Sequence, residues 1–516
     1  MTVTSFAYLL LLLTGVLVYY LIPGKCQWII LLGMSVVFYC CAATPYTIVC
    51  LIISTFLAYF STILMENEKI KGTERGKKTV LIVTVVSIVG NILLWFLLKG
   101  SSFWIAGTTV LNHLVPSMKI LPALPIAAAM GMGYYTAQVI GYILDCYWEN
   151  VRAQKNILKL FLFVCFFPQL TVGPISRYSQ LETLYQKHKF SYDNLCMGSQ
   201  RILWGFFKKL VIADRVGIIV EGIWADTIIY GGIWPCIAVL LYPLQMYADF
   251  SGCVDIVLGT AELFDIHLPE NFNNPFFARN CQEFWQRWHI TLGNWARDYV
   301  YYPVLKSKPI IKIGKWSKKH FKKRIAKLIP WTLGMGILWF VMGFWHGSVQ
   351  HILGVGLWFW LILVISELCS PFLKKMVNFF QINTESFSWR LFQGIRTYIL
   401  YAFGAVFFSV PEFTASFNRY KELLQVFQNP NPWIFFDGSV LNLGVSWRDI
   451  NLIIIGVLLL FVVAVLREKY GYARTWMQKQ ILPFRWFVWI CLFVLVLVYG
   501  LYGPGYDASA FIYEGF

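Results

Sequence analysis

The sequence predicts an all-α polytopic membrane protein, with about twelve crossing helices and further re-entrant helices. Three observations predict it. Hydrophobic residues make up 58% of the 516 residues and charged residues only 13%, against roughly 25% charged in a soluble domain. Apolar runs of the roughly 20 residues needed to cross a bilayer recur along the whole chain. Basic residues gather in short segments between those runs, as expected of cytoplasmic loops. So few charges cannot coat the several soluble domains that this length would otherwise suggest. The composition excludes a soluble multidomain enzyme, a disordered protein and a secreted disulfide scaffold.

The runs lie near 5–22, 27–43, 45–64, 79–98, 121–147, 200–222, 230–258, 330–350, 353–373, 391–410, 450–466 and 483–502. The first has no basic residue before it and no small-residue cleavage site, so it reads as a retained helix and not as a signal peptide. Segment 65–79 carries Lys69, Lys71, Arg75, Lys77 and Lys78 against Glu66, Glu68 and Glu74. Segment 306–327 carries ten Lys/Arg and no acid. Segment 467–485 carries Arg467, Lys469, Arg474, Lys479 and Arg485 against Glu468. All three are expected on the cytoplasmic side. Counting spans outward from them puts both termini outside. The net charge of +17 follows from such loops and calls for no nucleic-acid partner. The 12 cysteines contain no C-x-x-C pair, and Cys26, Cys40, Cys41, Cys50, Cys165, Cys236 and Cys491 lie in or beside apolar runs. They read as inert buried thiols, with no metal site or disulfide framework.

Two stretches fit no simple crossing. In 157–178 the helix is broken by Pro168, Gly173 and Pro174. In 267–305 apolar residues mix with Arg279, Glu283, Arg287, His289, Arg297 and Asp298. Such polarity at membrane depth is tolerated only inside protein or along a water-filled cavity, so both are expected to form re-entrant or interfacial helices. The polar stretch 411–449 is expected to form an external cap. No internal repeat is visible. The chain thus divides into helices over 1–120, a core over 121–375 that includes the basic loop, helices over 376–502, and a tail over 503–516.

Among the seven histidines, His188 and His320 lie in basic, soluble-looking segments and read as solvated loop residues. His113, His267 and His351 have no distinctive setting and read as structural. His346 stands in Gly343-Phe344-Trp345-His346-Gly347, within an apolar run. At about 1.5 Å per residue it lies some 24 Å beyond Pro330, in the outer half of a helix rising from the basic loop. Neutral imidazole can take a proton from a nucleophile near neutral pH. His346 is therefore either a general base or a packed hydrogen-bond partner between helices, with Gly343 and Gly347 allowing close packing. His289, in Glu283-Phe284-Trp285-Gln286-Arg287-Trp288-His289, is expected nearer the cytoplasmic side. It is either functional or part of an interfacial aromatic helix anchored by Trp285, Trp288 and Trp295.

Several ordered motifs carry a resemblance. They are Pro269-Glu270-Asn271-Phe272-Asn273-Asn274-Pro275-Phe276, the Glu283–His289 run, and Arg297-Asp298-Tyr299. To these add Phe167-Pro168-Gln169 with Gly173-Pro174-Ile175, Tyr247-Ala248-Asp249-Phe250-Ser251-Gly252, and Gly343–Gly347. Together, over roughly residues 120–360, the chain resembles the membrane-bound O-acyltransferases, in the bacterial branch of alginate O-acetyltransferase and the D-alanyl transfer protein. The resemblance implies a helical membrane enzyme around a central tunnel, with an acyl thioester entering from the cytoplasm and an acceptor from the other face. It gives His346 the catalytic-histidine role and His289 the second polar position.

The chain ends Phe511-Ile512-Tyr513-Glu514-Gly515-Phe516. Alone this reads as an aromatic tail at the outer interface, but the Phe-x-Tyr-x-x-Phe pattern resembles an acyl-relay motif of the same branch. Tyr513 lies eleven residues beyond Tyr502, a tether of up to about 36 Å at 3.3 Å per residue. A phenol with an ordinary pKa near 10 needs a base to become a nucleophile, and His346 would supply it. The resemblance implies acetyl-CoA as acyl donor, no metal, and an extracytoplasmic transferase of the SGNH serine-hydrolase type as partner. The final acceptor would be an extracellular polysaccharide or cell-wall polymer, and the setting a bacterial cell membrane. The lysines of 306–327 read either as an orientation signal or as contacts to CoA phosphates. By resemblance to the alginate-type members in length and in carrying its own relay-like tail, the chain is expected to transfer acetyl, with D-alanyl transfer to teichoic acid as the alternative. A non-catalytic polymer or lipid transporter is the alternative of a different class.

Overall fold

A computed structural model describes residues 1–99, 131–409, 413–503 and 506. Among these the secondary structure is helical throughout, with no strand and one isolated antiparallel bridge, Phe272 to Trp288. Nine helices among the described residues are long and apolar enough to cross a membrane, from Gly24–Ala42 to Leu482–Tyr499. Phe6–Leu21 is a shorter apolar helix. The expected run 121–147 begins outside the described residues and continues as the buried helix Met132–Tyr147. The run 200–222 is instead a composite. Helix Tyr192–Phe206 passes through a π-helical stretch, Phe207–Ala213, into helix Asp214–Ala225. The tail residue Tyr513 lies outside the described residues.

The chain forms two compact units. The first contains Met1–Phe206 and Gly252–Glu270. In it Pro45–Lys71 packs along Glu74–Lys99 after a turn at Gly72, whose φ of 63° is left-handed and suits glycine. Small polar side chains join the two helices: Ser87 Oγ donates to Ser61 Oγ at 3.1 Å, and Ser54 bonds Asn91. Such pairs hold helices together where lipid offers no hydrophobic drive between them. The stretch 157–178 forms only the nine-residue helix Ile157–Cys165. The chain then runs buried through Phe166–Leu170, where Phe167 N donates to Ser35 Oγ at 3.1 Å. His188 is not a solvated loop residue. It is buried, with Nδ1 3.1 Å from Asp265 Oδ2 and Nε2 2.8 Å from the Thr183 carbonyl oxygen. A carboxylate 77 residues away in the chain fixes the ring.

The second unit contains Phe207–Ser251 and Asn271–Leu501. The basic segment 306–327 is largely helix, Lys308–His320, lying on helix Lys323–Trp345. The stretch 267–305 gives two seven-residue helices, Cys281–Arg287 and Ile290–Ala296. At about 1.5 Å per residue neither can cross a bilayer. Trp288 is not interfacial: it is 2% exposed and packs between Phe284, Phe272 and Tyr401. The stretch 411–449 folds into helix Phe413–Leu423 and short 3-10 turns, and Ser446 with Asp449 then caps helix Trp447–Tyr470. The cysteines are mixed: Cys165 is buried, whereas Cys26, Cys40, Cys41 and Cys491 are exposed on the protein surface. An apolar helix face turned to lipid needs no protein cover, so an apolar setting did not mean burial.

Candidate active site

His346 does not continue its helix. Lys323–Trp345 ends one residue earlier, His346 is the C-cap, and Gly347 N donates to the Phe344 carbonyl at 2.9 Å. Gly347 takes φ 88°, a left-handed conformation that a side chain would strain. The chain turns back at once into Val349–His351 and a π-helical stretch, Ile352–Trp358. Gly343 makes that reversal tight: a Cβ there would meet Ile352 Cα at 2.6 Å and the His351 carbonyl oxygen at 2.8 Å. The turn leaves His346 4% exposed, with its ring 5.0 Å from Trp345 and 5.4 Å from Phe408.

The reversal also brings up a second imidazole. His351 is 4% exposed, its ring centroid is 5.6 Å from that of His346, and Ser348 Oγ bonds its Nδ1. The sequence marked His351 as structural. Its five-residue spacing from His346 matches neither face of a continuous helix, and only the turn at Gly347 makes the two rings neighbours.

His289 sits between the two short helices with φ 45°, a left-handed conformation unusual for a residue with a side chain. A local pairing holds it there. Ile290 N donates to the Asn271 carbonyl at 3.0 Å, and Asn273 N donates to the Arg287 carbonyl at 2.9 Å. The Asn271 side chain then organises the ring. Its Oδ1 accepts from Thr291 N at 3.1 Å and from Thr291 Oγ1 at 2.9 Å, and it lies 3.2 Å from His289 Nδ1. An amide N–H can only donate, so the atom facing Thr291 is the oxygen. An acceptor at Nδ1 requires that nitrogen to carry the proton, which leaves the lone pair of the neutral ring on Nε2. Burial pushes the imidazole down to about 3, far below its ordinary value, so the neutral form prevails. Phe250 lies edge-on at 5.0 Å and Trp345 at 5.9 Å. Trp345 therefore touches both His289 and His346, and the two sequence-predicted histidines share one aromatic neighbour.

The charged residues of 267–305 mostly build the scaffold. Arg287 donates to Glu283 and to Glu468, the latter at 2.6 Å, and Asn274 Nδ2 donates to Glu468 at 3.1 Å. Arg297 pairs with its neighbour Asp298. The Tyr247–Ser251 stretch meets the π-helical segment: Lys209 pairs with Asp249 at 2.8 Å and Asp214 at 2.9 Å, and Lys208 Nζ donates to Ser251 Oγ at 2.8 Å. Both lysines are buried, and π-helical turns concentrate at functional sites. Neither lysine stood out in the sequence, because both lie inside the apolar run 200–222. Among the described residues no group of three His, Cys, Asp or Glu side chains could hold a metal ion.

The family model of the membrane-bound O-acyltransferases matches residues 149–410, which contain His289, His346, His351, Asn271 and both buried lysines. The chain belongs to the membrane-bound O-acyltransferase family. It is similar to several curated relatives. With a probable alginate O-acetylase of Pseudomonas syringae pv. tomato it shares 29% identity over 305 residues, 58% of this chain and 53% of that protein. With a peptidoglycan O-acetyltransferase of Helicobacter pylori the figures are 28% over 293 residues, 51% of each chain. With a teichoic acid D-alanyltransferase of Streptococcus thermophilus they are 30% over 246 residues, 46% of this chain and 56% of that one. The chain thus spans little more than half the length of these curated relatives. This member of the family is polytopic, and its described residues form helices and no strand, as its composition predicted.

Proposed function

We propose that the protein is an O-acetyltransferase that relays acetyl across a bacterial cell membrane to an extracellular polysaccharide or cell-wall polymer. The observation that supports the reading most is the buried pair His346 and His289, both packed against Trp345, inside the family-matched region. Its donor is a cytoplasmic thioester, acetyl-CoA. His346 takes the phenolic proton of Tyr513, and the phenolate oxygen bonds the carbonyl carbon. The carbon–sulfur bond then breaks, and the CoA thiolate leaves and takes the proton. The Tyr513 ester is passed to an extracytoplasmic SGNH-type transferase, which acylates the polymer. The names of the alginate and peptidoglycan relatives favour acetyl. The D-alanyltransferase relative keeps D-alanyl transfer as a second reading.

Intact-mass analysis of the C-terminal peptide from producing cells tests the relay. The expected result is an acetyl adduct on Tyr513 that is absent in His346→Ala. A D-alanyl mass would select the second reading. Normal polymer acylation in Tyr513→Phe, with a peptide that is never modified, would return the protein to the transporter class.

A further inference from the structure

Asn271 has a second half that the scaffold does not use. Its residue is 0% exposed. Its backbone oxygen accepts from Ile290, and Oδ1 serves Thr291 and His289. That accounts for both acceptors. The amide nitrogen Nδ2, a donor of two hydrogens, has no hydrogen-bond partner among the described residues. Rotating the amide cannot relieve this, since the Thr291 N–H needs the oxygen where it is. A buried donor left unmade costs about 1–3 kcal/mol, and native proteins rarely tolerate one without a ligand or water to receive it.

We infer that Asn271 is the carbonyl-binding residue of the site, with Nδ2 donating to the acyl oxygen of the thioester while Oδ1 holds His289 in its Nδ1–H form. The chemistry fits the vacancy in the hydrogen-bond pattern. A thioester carbonyl offers an acceptor and no donor. When a nucleophile bonds its carbon, the π-electron pair moves onto that oxygen, and a pre-aimed N–H donor in a buried site stabilises the charge without reorganising. The same amide therefore ties the position of His289 to the position of the reacting carbonyl. This inference rests on the acyl-transfer reading above.

The test uses the full-length protein in lipid nanodiscs, with acetyl-CoA as probe. Asn271→Asp keeps an oxygen for Thr291 and His289 and removes the donor. Single-turnover release of CoA thiol should fall about 10²–10³-fold at saturating acetyl-CoA, as for loss of one oxyanion donor, with KM changed no more than about tenfold. A wild-type kcat in folded Asn271→Asp overturns the inference. A second measurement needs no variant. S-ethyl-CoA carries a methylene in place of the carbonyl, and the wild type should bind acetyl-CoA about two- to tenfold more tightly. Equal affinities mean that Nδ2 meets only water, and they overturn the inference even if Asn271→Asp misfolds. His346→Ala separates the two readings. Wild-type thiol release in that variant removes the proposed base, while the binding comparison still decides Asn271.

Discussion

His346 and His289 differ in what their surroundings ask of them. His346 caps a helix in a turn that only Gly347 permits. A general base contributes roughly 10²–10⁴ in rate, so His346→Ala should lower single-turnover CoA thiol release by about that factor while leaving the melting temperature close to wild type. His289 is instead gripped by Asn271 and kept neutral by burial. Its native pKa lies below the unfolded one, so between about 6.5 and 3 the unfolded chain binds a proton that the folded protein does not. Stability is full above that window and falls as pH drops into it, by about 1.4 kcal/mol per pH unit. Melting measured at about pH 7.5 and 5.5 should show wild type losing roughly that much more than His289→Gln. A parallel loss in both proteins would contradict the assignment.

At the level of elements, close approach and buried charge carry the cost. The Cβ of Gly343→Ala would press on the backbone of His351 and Ile352, which cannot swing aside like a flexible side chain. Overpacking of this kind costs about 1–3 kcal/mol, and here it also displaces His346. Gly33→Ala is the control, because nothing lies within 4 Å of its added methyl. It should melt like wild type. The π-helical stretch Phe207–Ala213 presents Lys209 to Asp249 and Asp214. Removing one partner of a buried pair leaves an uncompensated charge, so Lys209→Met should cost about 3–5 kcal/mol. Lys71→Ala, which breaks an exposed pair with Glu68, should cost under about 1 kcal/mol. Thermal unfolding of the two variants side by side checks the contrast.

Across the whole molecule, the charge distribution predicts an orientation. Helix Lys308–His320 and its flanks hold the ten basic residues that the positive-inside rule assigns to the cytoplasm. A cysteine at the exposed position 315, Lys315→Cys, should react with an impermeant maleimide in inside-out vesicles and stay unlabelled in intact cells. The background must first lose Cys26, Cys40, Cys41, Cys369 and Cys491, which are exposed. Labelling from the outside would invert the direction of transfer proposed above. The spans themselves were legible because a bilayer selects on composition alone: about 20 apolar residues must be present whatever they touch. The run 200–222 was less legible, since its helix is apolar yet buried around Lys208 and Lys209.

By itself the sequence determined the class of molecule, most of the long apolar helices and the basic segments between them, and through motif resemblance it singled out His346 and His289. These are local properties, set by residue type and short-range order. Only the tertiary structure decided that Asn271 holds His289 across 18 residues of chain, that His351 faces His346, and that Asp265 fixes His188. Those contacts depend on a turn at Gly347, a left-handed residue at 289 and a reach of 77 residues in the third case. Periodicity gives the face of a helix to which a side chain belongs, but it does not give the partner that the fold will bring there.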